Sequence, residues 1–170
     1  MTISMSSASL PVFQSMLGNL GHILDKAQAH AEARKFDPAA LLQYRLAPDM
    51  LPFTRQIQVA CDAAKNGVAR ISGVEAPRYE DNEATFPELK ARIRKTLDYL
   101  ATVPAERLNG TEDKDITFTA GQTTRTMKAE AYLKHWALPN FFFHITMAYA
   151  ILRHNGVELG KSDYLAGAKA

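Results

Sequence analysis

The sequence lacks most of what would announce a chemistry. It holds a single cysteine, Cys61, so no disulfide can form within the chain. That usage fits a reducing compartment. No apolar run approaches the ~18 residues of a membrane span, so no helical membrane segment is expected. Neither sign of charge dominates: 20 Lys and Arg stand against 18 Asp and Glu, a net charge of +2. Such a balance leaves no footprint for nucleic acid. Eight Pro and nine Gly are too few for a collagen-like or low-complexity chain. The first eighteen residues contain no Lys or Arg, and Ser, Gln and Pro interrupt their apolar residues. The basic and continuous apolar parts of a secretory signal are both missing, and a cytoplasmic protein is expected. GxGxxG, P-loop, HExxH, CxxC and GxSxG patterns are absent as well. Dinucleotide, phosphate-loop, zincin, zinc-ribbon and serine-hydrolase readings lose their sequence support.

What is present is helical periodicity. The chain has 170 residues, 46% of them apolar, which is one domain's worth (1–170) with a core of its own. Phe13, Met16, Leu17, Leu20, Leu24 and Ala27 fall on one face of a helix expected from about Leu10 to Lys35. Asp37-Pro38 opens a short helix through Leu42. A second long helix is expected from Pro52 to Ser72, with Phe53, Ile57, Ala60, Ala64, Val68 and Ile71 inward and Gly73 as its stop. The acidic stretch 74–84 has no period and reads as a loop. Thr85-Phe86-Pro87-Glu88 carries a capping-box pattern and starts a third helix to about Thr102. On that helix Arg92 and Lys95 are expected to face water. Ile116 and Phe118 alternate with threonines, and Ala120-Gly121-Gln122-Thr123 suits a type II′ turn. A small hairpin pairing Ile116 with Met127 follows. After a lead-in from Ala129 to Trp136, a fourth long helix is expected to start at Pro139 and end near His154, before Asn155-Gly156. The tail from Val157 shows no clear period. The fold class is therefore all-α: a four-helix bundle with a small β-hairpin or irregular insertion between the third and fourth long helices. That long connection leaves room for crossover rather than up-down topology.

One stretch is chemically informative. At about 100° per residue, Asn140, His144, Met147 and Ile151 line up on the face of the fourth helix expected to point inward. Two polar side chains thus head an apolar stripe, and burial obliges each to find a partner. Either His144 is a hydrogen-bonded core histidine with Asn140 bridging, or the two form a ligand-binding or catalytic pair. An imidazole could serve there as a general base near neutrality. Gln58, Asp62 and Lys65 lie about a turn apart beside the stripe of the second helix. Gln58 and Asp62 are candidate partners for Asn140 and His144, or else a surface edge with Asp62 paired to Lys65. His22, on the outer side of the first helix, His30 on its margin and His154 at a helix end read as structural, and Cys61 as an inert core residue.

Several segments together resemble the domain-of-unknown-function family numbered nineteen ninety-three. They are Pro139-Asn140-Phe141-Phe142-Phe143-His144, Ala148-Tyr149-Ala150-Ile151-Leu152-Arg153-His154-Asn155-Gly156-Val157 and Gly160-Lys161-Ser162-Asp163-Tyr164-Leu165. Asp49-Met50-Leu51-Pro52-Phe53, followed by Gln56, Gln58, Asp62, Ala64-Lys65, Ala69-Arg70 and Gly73, adds to the resemblance. So do Glu75, Pro77, Asp81 and Thr85. That family is similar to the DinB/YfiT-like superfamily of four-helix bundles. The resemblance implies a divalent metal, zinc or nickel, held by three histidines: one on the second helix and two in a His-x-x-x-His pattern on the fourth. It also implies, for some members, thiol-dependent transferase or isomerase activity. Counting back from Leu152-Arg153-His154-Asn155-Gly156, the last metal histidine falls on His144 and the one before it on Asn140. The position expected near Gln58 to Asp62 holds no histidine. Two readings follow. The first is a small-molecule-binding protein or enzyme with a reduced metal site of His144 and Asn140, served by Gln58 and Asp62. The second is a non-catalytic structural or protein-interaction bundle. A homodimer through Phe142 and Tyr149, on the outer side of the fourth helix, fits the second.

Overall fold

The structure, a computed structural model, describes residues 3–167. Four long helices carry it: α1 (Leu10–Arg34), α3 (Phe53–Ser72), α4 (Phe86–Thr102) and α6 (Leu138–His154). Short helices α2 (Ala39–Leu42), α5 (Ala129–Tyr132) and α7 (Lys161–Ala166) lie between and after them. The strands β1 (Asp115–Ala120) and β2 (Thr123–Lys128) form the hairpin between α4 and α6. α3 packs on both α4 and α6, while α1 packs on α4 and touches α6. The steps from α1 to α3 and from α4 to α6 therefore cross the bundle, so its topology is not up-down.

The helix ends follow local chemistry. α1 stops at Lys35 in the left-handed conformation, φ 58°. α3 stops at Gly73, φ 75°, where the missing Cβ removes the strain. α4 opens on a complete capping box: Thr85 Oγ1 accepts from the Glu88 amide at 3.3 Å, and Glu88 accepts from the Thr85 amide at 2.9 Å. The hairpin pairs Ile116 with Met127 in the expected register, and of its two central turn residues only Gly121 has positive φ (60°), as a type II′ turn requires. Ile116 and Phe118 turn inward, where Phe118 meets the rings of Tyr132 and Trp136 at 5.0 Å.

The fourth long helix, α6, opens at Leu138 with Pro139 in its first turn, close to the expected start, and two other expectations need correction. No break precedes α6. The chain runs helically from Ala129 to His154 through a π-helical turn at Leu133–Ala137, in which the Leu138 amide donates to the Leu133 carbonyl. Proline has no amide proton and its ring crowds the carbonyl four residues back; the widened turn absorbs both effects. Arg92 does not face water but is 2% exposed. The tail is not formless, because α7 packs on α1. There Asp163 pairs with His22 and Lys26. His22 is accordingly half-buried rather than on the open face.

Candidate functional site

α3 and α6 bring one polar pair together in the core. His144 is 8% exposed and its Nδ1 donates to Oε1 of Gln56 at 2.7 Å. Gln56, 1% exposed, spends its own amide nitrogen on the Leu51 carbonyl at 2.9 Å. The glutamine oxygen can therefore only accept, and the imidazole proton must sit on Nδ1. Nε2 keeps its lone pair, and among the described residues it makes no hydrogen bond. Burial holds the His144 pKa below its usual 6.5, so the ring is neutral at physiological pH. The ring of exposed Phe143 stands edge-on to it at 5.2 Å. Leu51, whose carbonyl anchors Gln56, is exposed beside the pair.

The other expected partners lie elsewhere. Asn140 is half-buried one turn earlier on α6, and among the described residues no hydrogen bond joins it to His144. The buried residues of α6 include Phe141, Ile145, Ala148, Ile151 and Leu152, which places Asn140 and Met147 on the margin of the inward face. Phe142 packs against Phe141, and Tyr149 reaches the Leu159 carbonyl; the exposed aromatic of α6 is Phe143. Gln58 and Asp62 point away from His144. Two residues turn a helix by about 200°, so Gln56 and Gln58 serve opposite flanks of α3, and Asp62 shares the Gln58 side.

That second flank holds an ionic network centred on Arg92. Its guanidinium pairs with Asp62, Asp81 and Glu83, each at 3.0 Å. Gln58 donates to Glu83 at 2.7 Å and accepts from Arg55 at 2.7 Å. Lys65 also pairs with Asp62, at 3.1 Å, as one alternative had it, but the edge is not a surface one, because Gln58 and Lys65 are both buried. The Tyr79 ring covers the guanidinium at 5.1 Å, while Tyr79 OH and Arg92 Nε are buried without partners among the described residues. Two acids of the 73–85 loop, Asp81 and Glu83, are thus clamped onto α3 and α4. Cys61, fully buried, has its thiol pushed up to about 12 by desolvation and is inert as a nucleophile.

Among the described residues no group of three or more His, Cys, Asp and Glu side chains is placed to hold a metal ion. Around His144 the donors are one imidazole nitrogen and neutral amides. Zinc and nickel sites draw on imidazole, thiolate and carboxylate, so this set does not fit them.

The comparisons with known proteins bear on the whole chain. Residues 5–165 match the model of a family described as "Domain of unknown function (DUF1993)". The chain belongs to that family. The DUF1993 chain is also 42% identical to a DinB family member protein from Shewanella denitrificans whose crystal structure is known. That match covers 95% of this chain and 91% of the other, with a TM-score of 0.86. The DinB-like bundle expected from the sequence is therefore the fold of this DUF1993 protein. No curated protein matches it.

Gln56 is the residue that sequence reasoning passed over. Its signal was present: with Phe53, Ile57 and Ala60 it sits on the inward stripe of α3, as His144 does on α6. Two buried polar side chains on facing stripes are the natural partners for each other.

Proposed function

We propose that His144 is the centre of a metal-independent small-molecule site on the DinB-like bundle. One observation supports it: Gln56 fixes the imidazole proton on Nδ1 and so presents Nε2 as a neutral, unoccupied acceptor. Such a group receives a hydrogen bond from a hydroxyl or thiol, or takes its proton as a general base. Phe143, 52% exposed, and Leu51, 42% exposed, offer an apolar surface for the body of the same ligand. Phenol and benzyl mercaptan are suitable probes.

Two measurements test the reading. Long-range proton–nitrogen spectra of the imidazole should show a neutral ring protonated on Nδ1, and ligand-detected NMR should show phenol binding that disappears in His144→Ala. Elemental analysis after saturation with zinc and nickel, then desalting, should find no stoichiometric metal. Near-stoichiometric metal that vanishes in His144→Ala would overturn metal independence. A rival reading, the non-catalytic bundle, draws on the same bond as a strut tying the 43–52 loop to α6. It gains if His144→Gln changes stability while phenol and benzyl mercaptan bind neither protein.

A further inference from the structure

A second oriented imidazole, His22, belongs to α1 and meets α7 rather than α3. Asp163, 7% exposed, receives the Gly160 amide at 2.7 Å and the Lys26 ammonium at 2.9 and 3.0 Å. It also receives His22 Nε2, at 3.1 Å. The carboxylate thus sets the orientation of the His22 ring by accepting a hydrogen bond from Nε2–H, which in the neutral ring leaves Nδ1 as the open acceptor. Nδ1 makes no hydrogen bond among the described residues. Lys26 and the Gly160 amide would anchor α7 without it.

Two clefts meet at this ring. One, about 480 Å³, runs between α1 and α7, and the other, about 310 Å³, between α1 and α4; Gly18 and His22 line both. Both are open grooves rather than enclosed cavities. The second cleft is lined by the apolar side chains of Leu17, Ile93 and Leu97, of which Leu97 is the accessible one. At its rim Lys90 is committed to Asp25 and Gln28, whereas Arg94 is exposed and makes no ion pair among the described residues. A Cβ at Gly18 or Gly21 would meet nothing within 4 Å. Packing inside the chain therefore does not demand glycine there, although alanine would favour the helix.

We propose that the cleft of His22 and Arg94 binds an amphipathic hydroxy acid. Its carboxylate pairs with Arg94, its hydroxyl donates to His22 Nδ1, and its hydrocarbon part lies on Leu97 and the Cβ-free backbone at Gly18 and Gly21. Gly18 and Gly21 keep the floor low enough for it.

The probe is 3-hydroxyhexanoate, titrated into the full chain and followed by amide proton–nitrogen spectra, with hexanoate as the partner lacking the hydroxyl. Saturable shifts are expected at Gly18, Gly21 and His22. Arg94→Gln, a change at an exposed residue, should weaken binding by about tenfold or more. Gly21→Leu should abolish it by filling the floor, and His22→Ala should erase the preference for 3-hydroxyhexanoate over hexanoate. Gly18→Ala controls for folding and should be no less heat-stable than the parent. No saturable shift in the parent overturns the proposal. So does binding that Arg94→Gln leaves unchanged, a result that stands even if Gly21→Leu fails to fold.

Discussion

The two flanks of α3 solve the same problem in opposite ways. Facing α6, Gln56 meets His144 in a neutral pair of two side chains. Facing α4 and the 73–85 loop, Arg92 is buried with three carboxylates and two further cations, Arg55 and Lys65, around it. A buried charge demands compensation from every direction, because its desolvation costs several kcal/mol. The network that results commits both terminal guanidinium nitrogens of Arg92 to carboxylates, and of its buried polar atoms only Arg92 Nε and Tyr79 OH are left without partners among the described residues. A neutral imidazole demands only one hydrogen bond, and its second nitrogen stays available. Chemistry is therefore better sought on the sparse flank, and rigidity on the dense one.

The largest test of that contrast is Arg92→Met. Removing the guanidinium leaves Glu83 buried without its cation, while Asp62 keeps Lys65 and Asp81 keeps Arg55, and urea unfolding should show a loss of about 3 kcal/mol. A loss below about 1 kcal/mol would mean that the network is solvated and that the two flanks do not differ as described. Next comes Asp163→Asn, which breaks the clasp of α7 on α1 and should cost about 2 kcal/mol at neutral pH. The sign follows from its depressed pKa, about 2 against 3.8. The contribution is complete above pH 3.8 and fades as the pH falls through about 2. Acid unfolding of Asp163→Asn should accordingly lack that component.

How much of this was legible in the sequence depends on how local the cause is. The caps at Thr85 and Gly73, the hairpin register and the four helical stripes are decided within a few residues, and each could be read. His144 was legible as a polar residue on an inward face. Arg92 was not, since a helix wheel shows one helix and the burial comes from a loop folding over it. The acids of that loop were visible, but their destination was a tertiary fact. Pro139 marked the start of α6 to within a residue, but the π turn that joins it to α5 without a break could not be read from local rules. The partner of His144 was misplaced by two residues, Gln58 for Gln56, and that small error reverses the face of the helix.

A smaller effect sharpens the neutral flank. His144→Gln should cost about 1–2 kcal/mol, the loss of one buried hydrogen bond and some packing. Its more specific signature is in pH. The folded protein holds His144 neutral below the usual 6.5, while the unfolded chain takes up a proton there. Parent stability should therefore fall as the pH drops below 6.5, down to the lowered folded pKa, and His144→Gln should flatten that slope. An unchanged slope would place the titration elsewhere.

The smallest expected effect comes from the edge of the dense flank. Arg55 and Asp81 pair at the surface, each with 38% of its side chain exposed. Arg55→Gln should cost less than about 1 kcal/mol, and added salt should shrink even that. Asp81 keeps Arg92 at 3.0 Å when Arg55 is gone, so the buried centre of the network does not lose its partner. Measured beside Arg92→Met, this substitution separates two meanings of a dense ionic cluster. If stability resides in the buried guanidinium, the two losses differ several-fold. If it is spread over the cluster, they converge, and the dense flank is then a solvated surface whose carboxylates are as free as Nε2 of His144.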